Sequence, residues 1–265
     1  MTKTKKLKNL FNSMGSVLIA LSGGVDSALL LQIASETLKE RVKAVTFTSP
    51  IFLRNDLTRA KNFAKRLKID HITIKFDILS HSDFCKNDKM RCHVCKTKMI
   101  EELKKEAKRQ GIRYIADGSN IDDIKDYRPG LKVGQKSGIK SPLLEAGLGK
   151  EEIRQEARER KIEIWNTPSS ACLASRIAYG TYINRNNLSI IEKGEEFLHQ
   201  LGFKEVRLRY HPPIARIEVS TQEIVRLAEL PIRDKVVEKL KELGVKYTTI
   251  DLSGFRSGSM NALLH

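Results

Sequence analysis

The 265-residue chain is 40% hydrophobic and 30% charged, enough apolar content for one α/β core with a smaller second domain and too much for a disordered chain. It contains no run of about 18 apolar residues, and the opening MTKTKKLKNLFNSMGS lacks a signal peptide's apolar stretch and cleavage site, so a soluble cytoplasmic protein with no membrane partner is expected. The formal net charge of +16 draws anionic partners, and four cysteines are too few and too unevenly spaced for a disulfide framework, which leaves thiols for metal binding or catalysis.

Residues 16–21 (SVLIAL) form a short apolar run that ends at SGGVDS. Residues 28–38 follow with leucines, isoleucine and alanines spaced for one side of a helix, so the order is strand, glycine loop, helix. Residues 42–47 are rich in β-branched side chains and read as a second strand, 55–67 as a helix capped by Asn55 or Asp56, and 71–76 as a third strand. A helix over 96–109, a strand over 114–116, a helix over 150–160 and a short strand over 162–165 complete the pattern. Strands alternating with helices imply a doubly wound parallel sheet, Rossmann-like, with ligands at the carboxyl ends of the strands where their order reverses.

Past Pro168 the pattern changes to a helix over 188–201, strands over 206–210 and 215–219, helices over 221–227 and 234–243, and a strand over 247–250. The chain is therefore divided into a first domain, 1–174, and a smaller C-terminal α/β domain, 175–265. Gly202 and Gly244, each in an L-G step, end the helices before them.

The run Ser22-Gly23-Gly24-Val25-Asp26-Ser27 stands where a phosphate loop requires it, between a strand and a helix. Its glycines let backbone N–H groups turn toward an anion, and the helix N-terminus adds partial positive charge. The Ser22 and Ser27 hydroxyls can donate to phosphate oxygens, and Asp26 beside a polyanion suits Mg²⁺ binding or loop orientation. Gly118, Ser119, Asn120, Asp122 and Asp123 follow the 114–116 strand and fall at the mouth of the same site, suited to ribose or Mg²⁺; an Asx-turn with exposed carboxylates is the alternative.

Cys92 and Cys95, in RCHVCK, lie at the start of a predicted helix beside Arg91, Lys96 and Lys98, and these cationic neighbours favour thiolates. The C-x-x-C pair alone fits a zinc half-site, a redox pair, an iron–sulfur half-site or two incidental cysteines, and no second pair completes a four-ligand zinc site. Cys172, in PSSACLASR, follows the first domain's last predicted strand and approaches the same pocket if the strand ends converge. Cys85 is the leftover and is taken as a spectator. Arg176 and Arg216 suit the phosphate or carboxylate of a mononucleotide.

SGGVDS resembles the SGGxDS motif of the PP-loop ATP pyrophosphatases, which adenylate their substrates and release pyrophosphate. The ordered set SGGVDS, RCHVCK, DGSNIDDIKDYRPG, PLLEAGLGKEEIR and PSSACLASRIAYG resembles the LarE family over essentially the whole chain. The resemblance implies an enzyme that binds ATP and Mg²⁺ and adenylates a carboxylate of pyridinium-3,5-biscarboxylic acid mononucleotide. A sulfide source then gives the thiocarboxylate, on the route to a nickel-pincer nucleotide. By the same resemblance Asp26 and Cys172 are the catalytic residues, and Ser22, Gly23, Gly24, Val25, Asp26, Ser27, Gly118, Asn120 and Asp123 bind the nucleotide. Arg128, Arg176 and Arg216 are expected to bind the substrate. In one form of the family the cysteine at the position of Cys172 gives up its own sulfur and becomes dehydroalanine, and in another three cysteines hold a [4Fe–4S] cluster that relays sulfide; with Cys92 and Cys95 as well as Cys172, this chain resembles the cluster form. A homo-oligomer without nucleic acid is expected. A tRNA thiolase of the same superfamily and a non-enzymatic nucleotide- or RNA-binding module with a structural metal are the competing readings.

Overall fold

The computed structural model describes residues 2–125, 134, 136–167 and 171–256, and the chain divides into two units, Met1–Ile78 with Cys92–Ser170, and Leu79–Arg91 with Ala171–His265. The segment Leu79–Arg91 belongs to the second unit, an excursion that a single boundary after residue 174 does not anticipate. Its buried anchor is Asn87, whose Nδ2 donates to the carbonyls of Ala178 at 2.7 Å and Thr181 at 3.0 Å.

The first unit opens with a helix absent from the sequence expectations, α1 (Lys3–Met14), in which Leu7, Phe11 and Met14 recur on one face and are buried. Next come β1 (Val17–Ala20), α2 (Val25–Leu38), β2 (Val42–Thr48), α3 (Arg54–Arg66) and β3 (Asp70–Lys75). The short α4 (Ser82–Cys85) belongs to the second unit, and α5 (Arg91–Arg109) returns the chain to the first. The first unit then continues through β4 (Tyr114–Ala116), α6 (Asp122–Lys125), α7 (Pro142–Ala146) and α8 (Lys150–Glu159).

All pairings in the four-stranded sheet are parallel, in the order β3-β2-β1-β4. Val17, Leu18 and Ile19 of β1 are all buried, because a central parallel strand is covered on both faces. Helix α2 is buried nearly all round, through Ala28, Leu29, Leu30, Leu31, Ile33 and Ala34, so it is a core helix. The chain winds outward from β1 to β3 and returns to the other side of β1 at β4, so the reversal of strand order lies between the carboxyl ends of β1 and β4.

Two local expectations are corrected. Residues 162–165 are a turn, closed by Trp165 N–H donating to the Ile162 carbonyl at 3.0 Å; Ile162 is apolar because it is buried in the core. Helix α3 starts at Arg54 with Leu53 in the capping position, and Asp56, instead of capping, pairs with Arg59 one turn later.

The second unit contains α9 (Arg185–Gln200), β5 (Val206–His211), β6 (Ile214–Val219), α10 (Ile224–Ala228), α11 (Ile232–Glu242) and β7 (Tyr247–Ile250). Asn184 caps α9 by accepting from Asn187 N–H at 2.9 Å, which starts the helix earlier than its apolar spacing indicates. Strand β6 is central, antiparallel to β5 and parallel to β7. Helix α9 approaches this sheet at Gly194, where a Cβ would stand 2.9 Å from Leu208 Cδ1. Among the described residues no helix is long and apolar enough to cross a membrane.

Candidate active site

The loop leaving β1 is shaped by its own hydroxyls. Ser27 Oγ donates to the Gly24 carbonyl at 3.0 Å and accepts from Ser22 N–H at 3.1 Å, while Ser22 Oγ accepts from Gly24 N–H at 3.3 Å. Gly24 is the N-cap residue of α2 and Val25 its buried first residue, so the helix's unbonded first-turn amides sit at the loop. Gly23 has φ +81°, and a Cβ there would lie 2.2 Å from the Asp56 carbonyl oxygen. Only glycine satisfies both constraints. The α3 side also holds the loop, since Arg59 Nε donates to the Gly23 carbonyl at 3.3 Å. Beneath it, Thr46 Oγ1 donates to the Leu21 carbonyl at 2.7 Å.

The segment after β4 meets this loop from the other side of the strand-order reversal. A Cβ on Gly118 would come within 2.9 Å of Ser27 N, so this glycine permits the approach. Asn120 is almost fully buried, and its Oδ1 accepts from Asp122 N–H at 2.9 Å, while Asp123 Oδ2 accepts from Asn120 N–H at 3.0 Å. The Asx-turn alternative therefore describes the backbone here.

Asp26 lies in the first turn of α2. Its Oδ2 accepts from Lys150 Nζ at 2.5 Å, and its Oδ1 is buried without a hydrogen-bond partner. Burial raises its carboxyl above the ordinary carboxylate range; Lys150 opposes the rise, and the nearby Asp123 carboxylate adds to it. A buried carboxylate oxygen with no donor suits a hard cation such as Mg²⁺.

Several residues of this site were not assigned roles from sequence. Lys150 and Arg154 are in the GKEEIR run, and Asp117 precedes the noted Gly118. Asp117 is buried, accepting from Lys96 Nζ at 3.1 Å, Ser141 Oγ at 2.9 Å and Ser119 N–H at 3.2 Å. Its burial alone would raise its pKa, but Lys96 and the two serine donors hold the carboxyl below the ordinary range. The available signal was an acid immediately after a strand of the nucleotide-binding sheet.

Helix α5 begins at Arg91, so Cys92 and Cys95 are inside its first turns, with Cys92 exposed and Cys95 half-buried. Cys172 belongs to the second unit, where it caps a 3-10 helix over Leu173–Arg176. Among the described residues no group of three or more His, Cys, Asp or Glu side chains that could hold a metal ion is found. Cys85 is buried, with its thiol donating to the Leu79 carbonyl at 3.3 Å.

Arg176 calls for a correction. The side chain is fully buried, with Nε and Nη2 donating to Glu195 at 3.0 and 3.1 Å, and Nη1 to the carbonyls of Ala171 and, at 3.0 Å, Cys172. A guanidinium so occupied holds the backbone at Cys172 and does not present an open anion site. Nearby in the same unit, Arg209 pairs with the buried Glu218 through two hydrogen bonds at 3.0 and 2.9 Å, and Arg216 Nη2 reaches the same carboxylate at 3.1 Å. Arg216 keeps 32% side-chain exposure and can still meet a ligand. Burial, with Arg176 beside it, pushes Arg207 down to about 10. Arg128 lies outside the described residues.

Comparison with known proteins agrees with this geometry. The NAD synthase family model matches residues 3–119, which carry the phosphate loop and all four parallel strands. The pyridinium-3,5-bisthiocarboxylic acid mononucleotide synthase of Lactiplantibacillus plantarum is 34% identical, the match covering 99% of this chain and 95% of that protein. An uncharacterized protein of Synechocystis is 33% identical over 99% of this chain and 98% of its own length. A probable tRNA sulfurtransferase of Methanobrevibacter smithii is more distant, 26% identical over 56% of this chain and 41% of that protein. With the glycine-built loop and near-complete coverage of both chains, the protein belongs to the LarE family of PP-loop, ATP-dependent sulfur transferases.

Proposed function

We propose that the enzyme adenylates a carboxylate of pyridinium-3,5-biscarboxylic acid mononucleotide and replaces the activated oxygen with sulfur. The observation that carries this reading is full-length similarity to the synthase named for the bisthiocarboxylic product, joined to a phosphate loop at the strand-order reversal. In the first step a substrate carboxylate oxygen attacks the α-phosphorus of ATP, and pyrophosphate leaves. In the second, a sulfide sulfur attacks the acyl carbon and AMP departs with the former carboxylate oxygen, giving the thiocarboxylate. Backbone amides of the loop and of the first turn of α2 bind the phosphates. Asp26 is the residue suited to hold Mg²⁺, which when bound neutralises phosphate charge. Arg216, and Arg128 outside the described residues, are assigned to the mononucleotide's anionic groups, and Arg176 to the positioning of Cys172.

For sulfur supply we propose a [4Fe–4S] cluster on Cys92, Cys95 and Cys172. It is supported by the presence of all three cysteines, two of them one helical turn apart.

The test is anaerobic purification with iron and sulfide analysis, followed by turnover of ATP with the mononucleotide or with tRNA. Formation of AMP and pyrophosphate that depends on the mononucleotide, with about four irons per chain, is expected. ADP as the product overturns the adenylation, and stimulation by tRNA alone overturns the substrate. Loss of one H₂S from Cys172 in a single turnover, with Cys92 and Cys95 dispensable, overturns the cluster.

A further inference from the structure

Two polar atoms in the charge cluster beside the phosphate loop are buried and lack hydrogen-bond partners, Asp26 Oδ1 and Arg154 Nε. An unmet buried donor or acceptor costs about 1–3 kcal/mol, and folds keep such atoms where a ligand completes them. The two atoms ask for opposite things. Asp26 Oδ1 needs a cation or donor, and Arg154 Nε needs an acceptor. Arg154 lies close enough to Asp26 to act on its charge, and no ion pair joins them.

Lys150 stands between these demands. Its Nζ occupies Asp26 Oδ2 at 2.5 Å, and its side chain is 31% exposed. The backbone at this position is fixed, since Lys150 N–H donates to Asp122 Oδ2 at 2.7 Å. Gly149 keeps that contact open, because a Cβ there would stand 3.1 Å from the same oxygen. Lys150 and Arg154, four residues apart on α8, project from one helix face.

We propose that Lys150 and Arg154 form the grip on the departing pyrophosphate of ATP, and that Lys150 releases Asp26 when nucleotide and divalent cation arrive together. In the free enzyme the ammonium is the stand-in for the cation on Asp26. A divalent ion displaces it because it brings twice the charge to a carboxylate with a buried open oxygen. The released ammonium moves to phosphate oxygens, so neither charge is left without a partner. Both residues act as positioning groups for the leaving group. The inference rests on the reading of the loop as an adenylating ATP site.

The test is calorimetry of Mg·ATP, Mg·pyrophosphate and AMP on the full chain, wild type and the Lys150→Met, Lys150→Arg and Arg154→Gln variants. Mn²⁺ titration of nucleotide-free protein, followed by electron paramagnetic resonance, completes it. Lys150→Met and Arg154→Gln should each weaken Mg·pyrophosphate and Mg·ATP by about tenfold or more, as expected for a lost charge-assisted hydrogen bond. AMP affinity should change less than about twofold, which also shows that the variants are folded, and Lys150→Arg should recover most of the loss. Nucleotide-free Lys150→Met should bind Mn²⁺ more tightly than wild type, since its competitor is gone. Unchanged pyrophosphate affinity in both variants, or equal loss of AMP, overturns the grip, and unchanged or weaker Mn²⁺ binding overturns the exchange. Wild type that binds Mg·ATP through these residues yet makes no thiocarboxylate supports the grip and overturns the substrate reading instead.

Discussion

At the scale of single residues, the two loop glycines are not equivalent. Gly23 combines a left-handed φ of +81° with a close approach to the Asp56 carbonyl, whereas Gly24 has an ordinary φ of −92° and would place a Cβ 3.5 Å from Ser22 Oγ. Gly23→Ala should therefore cost about 2 kcal/mol or more of stability and abolish ATP binding. Gly24→Ala should stay within about 1 kcal/mol of wild type, its effect being confined to nucleotide affinity; denaturant melts and calorimetry on the two variants check this. Asp117 supplies a pH-dependent case. Because its carboxyl is held below the ordinary value of 3.8, its contribution to stability is complete above that pH and is lost as the pH falls through its folded-state value. Asp117→Asn should destabilise the protein by about 1–3 kcal/mol at neutral pH, and the gap between the two melting temperatures should close in acid. A gap that stays constant down to pH 3, about one unit below the usual carboxylate pKa, would refute the assignment.

Elements explain which features the sequence disclosed. The parallel sheet and its loop were legible because β1 and β2 are apolar runs bounded by turn residues, and SGGVDS can only be glycine-built where backbone crowds backbone. Helix α1 is hidden in composition although Leu7, Phe11 and Met14 carry its period, because four lysines and polar neighbours dominate the opening residues when the face is ignored. Residues 162–165 misled because an apolar run records burial and does not distinguish a strand from a buried turn. Arg176 was illegible for a different reason. Its partner Glu195 is on α9, and nothing local in CLASRI announces that ion pair. That pair ties α9 to the 3-10 helix behind Cys172, so Glu195→Ala should leave the Arg176 charge buried and cost about 3–5 kcal/mol. Thermal unfolding should show that loss in the second unit while ATP binding by the folded fraction stays near wild type.

For the whole molecule, the proposed distribution of chemistry between the units should make the two half-reactions separable. The phosphate loop, Asp26 and Lys150 are all in the first unit, and Cys172 is in the second. Adenylation needs the former group, while sulfur transfer is assigned to Cys172. Cys172→Ala removes a half-buried thiol but keeps the Cys172 carbonyl that accepts from Arg176 and Ser175, so the local fold should survive. The variant should then catalyse mononucleotide-dependent exchange of labelled pyrophosphate into ATP at close to the wild-type rate and form no thiocarboxylate, even with sulfide supplied. Asp26→Asn should do the reverse of retaining the first step: it should lose exchange and product together, because the activated acyl group is never made. Parallel assays of exchange and product mass on the two variants decide the point. If Cys172→Ala lost pyrophosphate exchange as completely as Asp26→Asn, Cys172 would have to take part in adenylation, and the division of labour between the two units would be wrong.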